Sequence, residues 1–155
     1  MTRNFKQYAL SQDVKHEQYE LESLLGKVRK MFHAHRTARA EGAARLMDAL
    51  DELREHLGMM FALKETEGYL DELAAVAPPL VEQAGALKAQ HTLLFEDLSR
   101  LIDQCDQDLS RGRWQSSWKL AEMTFENFCE QLRESEVGEA VLAQGALDQE
   151  TGVGD

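Results

Sequence analysis

Residues 59–69, with the sequence MMFALKETEGY, form the stretch that decides how this chain folds. Met60 and Lys64 are one helical turn apart and share a face, and Gly68 fits the residue that ends a helix. At about 100° per residue, six residues fall on one narrow stripe of this helix. They are Leu46, Leu50, Leu53, Leu57, Met60 and Lys64. The stripe should face a core, where a lysine is rarely buried without a partner.

The composition of the 155-residue chain is typical of one all-α domain, residues 1–155. Hydrophobic residues make up 43% of the chain, which is enough to build a globular core. The only two prolines are adjacent, Pro78 and Pro79, and the runs on either side are rich in Ala, Leu, Glu, Gln and Lys. Such runs favour helices over strands.

Apolar residues recur at spacings of three and four in four segments, which predicts four helices. We place these helices at about residues 12–39, 43–67, 79–111 and 115–143. Glu41-Gly42 is expected to separate the first two, and residues 69–77 to form a linker. The tail, residues 145–155, is expected to be loose or strapped over one end. Short connections predict an up-down-up-down four-helix bundle rather than an open coiled coil, because the apolar stripes are wide.

The net charge of −11 argues against a nucleic-acid-binding role, because a polyanion would be repelled. Acidic residues dominate from Glu134 to Asp155, where no Lys or Arg occurs. Five basic residues fill the second half of the first predicted helix: Lys27, Arg29, Lys30, Arg36 and Arg39. We interpret them as a solvated face that complements the helix dipole, in preference to an anion site.

Three further features predict a cytoplasmic protein without membrane contact. No window approaches the roughly 18 uninterrupted apolar residues that a membrane span needs. The N-terminal segment lacks the apolar region of a secretory signal. Cys105 and Cys129 lie in separate helical segments and are expected to be reduced thiols.

Six positions on the predicted inner faces carry side chains that are polar or able to hold a ligand. They are Gln18, Met60, Lys64, His91, Ser135 and Glu139. Met60 and Lys64 are spaced one helical turn apart, and so are Ser135 and Glu139. Side chains on facing helices of a bundle commonly build a metal site in this way.

The spacing resembles that of the hemerythrin-like (HHE cation-binding) family over nearly the whole chain. Residues 60–65 (MFALKE), followed by Gly68-Tyr69, resemble the family's His-Phe-x-x-Glu-Glu and Gly-Tyr on the second helix. Gln90-His91 resembles Glu-His-x-x-Leu on the third helix, and residues 135–139 (SEVGE) resemble His-Glu-x-x-Glu on the fourth. The resemblance implies a four-helix bundle around a non-haem di-iron centre, with histidine and carboxylate ligands from all four helices.

The chain departs from the family pattern at the ligand positions. Gln18, Met60 and Ser135 stand where the family has histidine, and Lys64 stands where it has glutamate. Only His91 and Glu139 keep a ligand-type side chain, which is too few for two irons. The ammonium group of Lys64 would also oppose a bound cation electrostatically. The four substituted positions are therefore predicted to be vestigial, with Lys64 paired to Glu139 where the family holds metal.

Two other interpretations stay open from the sequence. Lys64 could reach solvent from the end of the bundle, and His91 could be a core histidine bonded to a backbone carbonyl. Alternatively, a reduced metal site could use His91 and Glu139 together with Glu65 and His16.

The sequence thus predicts a non-enzymatic, metal-free member of the hemerythrin-like family, without a cofactor, that acts as an interaction or regulatory module. The alternative is a metal-binding oxygen or iron sensor, or a carrier, with the reduced ligand set. An enzyme using Lys64 and Glu139 for acid–base chemistry ranks third, because no substrate pocket is evident. The expected partner is an unidentified protein, or a second copy held through Trp114, Trp118 or tail residues.

Overall fold

The computed structural model of the protein describes residues 12–34, 39–66 and 68–152. Four long helices and a short one account for nearly all of these residues, and none of them lies in a strand. The helices are α1 Gln12–His33, α2 Ala40–Thr66, α3 Tyr69–Val76, α4 Val81–Ser110 and α5 Trp114–Gly152. The prediction of an all-α protein is confirmed. Among these helices, none combines the length and the apolar character that crossing a membrane requires.

The four long helices enclose an apolar core to which the predicted stripes contribute. Every apolar member of the α2 stripe has an exposed fraction of 0%: Leu46, Leu50, Leu53, Leu57 and Met60. Phe32 of α1 faces Phe125 of α5, with ring centroids 5.4 Å apart. Since burying one large apolar side chain contributes about 1.5–3 kcal/mol, this core is the main source of stability for the bundle.

A second, smaller apolar cluster lies where α3 packs against α4 and the last turns of α5. The prediction that residues 69–77 form a linker is wrong, because most of this segment is an eight-residue helix. Leu70 and Leu73 are one turn apart on α3 and are almost fully buried. They have apolar side chains of α5 to pack against, and this contact stabilises a helix too short to persist alone.

The last helix is longer than predicted. α5 continues to Gly152, past the predicted end at residue 143, so residues 145–152 are helical rather than a loose tail. Leu142 and Ala146 have exposed fractions of 0% in the smaller cluster. Burial of this face provides the tertiary contact that supports the additional turns. The remaining tail residues, 153–155, lie outside the described residues.

The connection between the first two helices also differs from the prediction. α1 ends at His33, and α2 starts at Ala40, so that Glu41-Gly42 lies inside the first turn of α2 instead of breaking a helix. The N–H of Ala43 donates to the carbonyl of Arg39 at 2.9 Å. A single glycine costs a helix only about 1 kcal/mol, which packing of the rest of α2 outweighs. The neighbouring Glu41 carboxylate interacts favourably with the positive end of the helix dipole. Residues 35–38 of the predicted first helix lie outside the described residues.

Trp114 and Trp118, which were expected at an exposed dimer surface, are buried. Their exposed fractions are 4% and 7%, and both belong to the main core. The expectation that a second copy binds through these two side chains is therefore wrong, because both are already packed inside the bundle.

Gly68 and Gly112 adopt left-handed backbone conformations, with φ of 67° and 69°, and Gly68 follows α2 as the predicted terminating residue. We expect Gly112→Ala to lower the free energy of unfolding by about 1–2 kcal/mol, since a Cβ is unfavourable at positive φ. Gly85→Ala is the control: on the exposed face of α4 an added Cβ meets nothing within 4 Å. It should raise stability by about 0.5–1 kcal/mol. Urea unfolding followed by circular dichroism measures both free energies. If the two substitutions changed the free energy of unfolding in the same direction, the left-handed conformation of Gly112 would be contradicted.

Candidate functional site

A buried polar cluster joins α2, α4 and α5. Nζ of Lys64 lies 2.7 Å from Oε2 of Glu139, and Nε2 of His91 lies 2.6 Å from Oε1 of the same carboxylate. The exposed fractions of Lys64, His91 and Glu139 are 2%, 1% and 6%. The predicted pairing of Lys64 with Glu139 is confirmed, and the alternative in which Lys64 reaches solvent is wrong. We refer to these three residues as the Lys64–His91–Glu139 cluster.

Phe61 positions the imidazole of this cluster. Its ring stacks on the ring of His91 with centroids 4.1 Å apart and planes inclined by only 8°. Phe61 precedes Lys64 by three residues, so the same side of α2 supplies both the stacking ring and the ammonium group. The sequence analysis did not assign Phe61 a role. Its spacing of three residues from Lys64 indicated that the two side chains share a face of α2. That spacing could not show that Phe61 stacks on a residue of α4.

Electrostatics keep the buried Glu139 carboxylate in its charged form. Burial is the largest single influence and by itself would raise the pKa of Glu139. The hydrogen bonds from His91 and Lys64, together with the positive charge of Lys64, outweigh burial and hold that pKa below its ordinary value. Each oxygen of the carboxylate therefore has a hydrogen-bond donor, and the ammonium balances its charge.

Glu136 lies on the same helix three residues before Glu139 and behaves in the opposite way. Desolvation raises the pKa of Glu136, and the nearby Glu22 and Glu139 carboxylates raise it further, although Lys64 opposes the change. Lys64 donates its hydrogen bond to Glu139 instead. Two neighbouring carboxyl groups of α5 thus differ in the direction of their pKa shifts, because Glu139 is hydrogen-bonded to His91 and Lys64 and Glu136 is not.

Two other predicted site residues do not join the hydrogen-bond network. Ser135 is buried, but its Oγ has no hydrogen-bond partner among the described residues, and the same is true of Nδ1 of His91. Gln18 is only half-buried, and no hydrogen bond in the described ranges connects it to the cluster. Neither Gln18 nor Ser135 therefore holds the Lys64 ammonium through a hydrogen bond.

These donors do not fit the di-iron centre that the family resemblance implies. In the parts of the chain that the structure describes, no three His, Cys, Asp or Glu side chains converge where they could hold a metal ion. Both oxygens of Glu139 are occupied by Lys64 and His91. Met60 and Ser135 are buried at their predicted ligand positions, but they offer a thioether and a hydroxyl group where iron prefers imidazole and carboxylate.

The residues considered for a reduced metal site are likewise not gathered. His16 and Glu65 are exposed, whereas His91 and Glu139 are buried. Glu65 lines an open groove of about 530 Å³ on the outer side of His91, and neither Lys64 nor Glu139 lines that groove. The assignment of His91 and Glu139 as metal ligands stays a prediction.

The two cysteines are buried and do not form a disulfide. Burial raises the pKa of Cys105 to about 12 and that of Cys129 to about 11, so both are protonated at neutral pH. A thiol must lose its proton to act as a nucleophile or a metal ligand. These two side chains therefore contribute packing rather than chemistry.

Comparison of this chain with known protein families, with curated proteins and with solved structures found no match. Its function is therefore inferred from the geometry of the Lys64–His91–Glu139 cluster and from the surface around the bundle.

Proposed function

We propose that this protein is a metal-free four-helix bundle of the hemerythrin-like type, and that it acts as an interaction or regulatory module rather than as an enzyme. One observation carries the proposal: the ammonium of Lys64 donates to the buried carboxylate of Glu139 at 2.7 Å. The family resemblance implies a metal cation beside that carboxylate. Here the ammonium supplies the compensating positive charge, and an unpaired buried carboxylate would cost several kcal/mol.

Contacts between the long helices support an up-down-up-down order. α1 packs on α2 and α4 packs on α5, in each case across a short connection. Arg29 contacts Glu126 at 2.9 Å, while His33, one turn later, contacts Glu122, one turn earlier on α5. α1 and α5 therefore run in opposite directions where they touch, as this order requires.

An exposed apolar face on α5 supports an interaction role. Four of its side chains have exposed fractions of 57–68%: Leu120, Met123, Val137 and Val141. At about 100° per residue they fall within a sector of roughly 100°. They form two pairs, Leu120 with Met123 and Val137 with Val141, about 20 Å apart along the helix, with exposed polar residues between them. Clustered exposed apolar side chains mark contacts with other proteins more often than scattered single residues do. This face is the surface through which we expect the module to bind its partner.

Iron loading tests the proposal directly. We expect the wild-type protein, expressed with iron supplementation and measured by elemental analysis, to carry far less than one iron per chain. A variant with the substitutions Gln18→His, Met60→His, Lys64→Glu and Ser135→His restores the family pattern and should bind iron, because it supplies the missing imidazoles and carboxylate. Absorption spectra of both proteins report whether an oxo-bridged centre forms.

Each outcome of this experiment is informative. Stoichiometric iron with oxo-bridge absorption in the wild-type protein would show that the proposal is wrong. Bound metal that is lost in His91→Ala would favour the sensor or carrier with a reduced ligand set. A folded four-substitution variant that takes up no iron would contradict the resemblance on which the positions are matched.

A further inference from the structure

A cavity of about 710 Å³ lies between the last turns of α1 and the start of α2. Lys27 and Lys30 of α1, Arg39 just before α2 and Arg45 of α2 contribute basic side chains to its lining. All four are exposed. Among the described residues of the lining, one is acidic, Glu41. The sequence favoured a solvated face over an anion site for the basic residues of the first helix, but it could not show that they border a concave surface shared with a second helix.

The four basic residues of this cavity have no ion-pair partner among the described residues. Seven other Lys and Arg residues of the described ranges do form ion pairs with acidic side chains. The difference originates in the sequence, because residues 23–47 contain six Lys and Arg but a single acid, whereas the whole chain has a net charge of −11. Positive charge is therefore concentrated at this cavity in an otherwise acidic protein.

The N-terminus of α2 also faces the cavity. Ala40, Glu41 and Gly42 all contribute to the lining, and Gly42 has no side chain to cover the backbone. The N–H of Ala43 is bonded to the carbonyl of Arg39, so the N–H groups before it lie outside the helical hydrogen-bond ladder. Free N–H groups and the positive end of the helix dipole favour an anion at such a position.

We propose that this cavity binds a small phosphorylated metabolite, with its phosphate groups held by the four basic side chains and the N-terminus of α2. Arginine and lysine bind phosphate oxygens through charge-assisted hydrogen bonds. Cavities of roughly 300–1,000 Å³ hold small organic ligands, so the volume leaves room for an organic part beside the phosphate. The carboxylate of Glu41 opposes the anion and weakens its binding. This site is separate from the Lys64–His91–Glu139 cluster, and its assignment does not depend on the metal-free proposal.

Isothermal titration calorimetry with pyrophosphate at low ionic strength tests the site. We expect Lys30→Gln/Arg45→Gln, which removes one basic side chain from each helix, to raise the Kd by about tenfold or more. The matched control is Lys15→Gln/Arg133→Gln, which removes the same charge at exposed positions away from the cavity. It should change the Kd by less than about twofold. Glu41→Gln should lower the Kd by about threefold, because it removes the negative charge of the one acidic side chain in the described part of the lining.

The proposal is overturned if the wild-type protein gives no binding heat with pyrophosphate, or if the two double variants weaken binding equally. It is also overturned if an oligoglutamate peptide binds more tightly than pyrophosphate, because the surface would then accept an acidic protein segment. All the substituted side chains are exposed, and circular dichroism checks that each variant is folded.

Discussion

Replacing Lys64 with methionine is expected to lower the free energy of unfolding by about 3–5 kcal/mol, because it leaves a buried carboxylate without its cation. Methionine has a similar length and is fully compatible with a core position, so the loss reports the ion pair rather than a cavity. Lys64 is only 2% exposed and Glu139 is 6% exposed, so solvent screens their interaction little. Urea unfolding followed by circular dichroism measures the change.

Lys88→Met is the matched control for this experiment. Lys88 also pairs with an acid, Asp71, but both side chains are substantially exposed, and such pairs contribute about 0–1 kcal/mol. The double variant Lys64→Met/Glu139→Leu should recover part of the loss, since apolar residues often replace a buried pair at little cost. It leaves His91 without its acceptor, so recovery should be incomplete. A Lys64→Met change no larger than that of Lys88→Met would contradict the buried pair.

Acidification is expected to destabilise the bundle through Glu139. The pKa of Glu139 is lower in the folded protein than its ordinary value, which the unfolded chain retains. At pH values between the two, the unfolded state binds a proton that the folded state does not. The stability from Glu139 is therefore fully present above the ordinary carboxyl range and is lost as the pH falls through the folded-state pKa. Each unit between the two pKa values corresponds to about 1.4 kcal/mol.

Urea midpoints measured from neutral pH downwards, together with ¹³C NMR titration of the glutamate carboxyl groups, check this prediction. Glu136 provides an internal comparison, since burial raises its pKa and its contribution has the opposite sign. The carboxyl signal of Glu139 should titrate at lower pH than that of Glu136. In Lys64→Met the pKa of Glu139 should rise, because burial, the largest influence on it, is then opposed by His91 alone. An unchanged titration of Glu139 in that variant would rule out Lys64 as a cause of the lowered pKa.

Both predictions concern the feature that distinguishes this chain from the pattern it resembles. A di-iron centre needs an open coordination position and several imidazoles, whereas the Lys64–His91–Glu139 cluster is closed. A closed ion pair stabilises a bundle but offers no reactive site. If the proposal holds, what remains available for function is the outside of the bundle, including the apolar face of α5 and the basic cavity beside α2.

Helical periodicity made much of the fold predictable. The stripe from Leu46 to Lys64 marked the buried face of α2, and Gly68 marked its end. Both are local properties, because a period of 3.6 residues and a left-handed glycine are encoded within a few residues of sequence. A lysine within an apolar stripe needs a compensating charge, so an acidic partner for Lys64 was foreseeable. The family resemblance then indicated Glu139 as that partner.

The sequence by itself thus determined which faces are buried and that Lys64 required an acidic partner. Only the tertiary structure decided that α3 forms, that α5 continues to Gly152, that Phe61 stacks on His91 and that basic residues of α1 and α2 share one cavity. The physical reason is that each of these features depends on contacts between segments far apart in the chain. Local interactions alone leave a short helix, an additional helical turn or one side-chain orientation about as stable as its alternatives. Packing against another helix therefore decides which one forms.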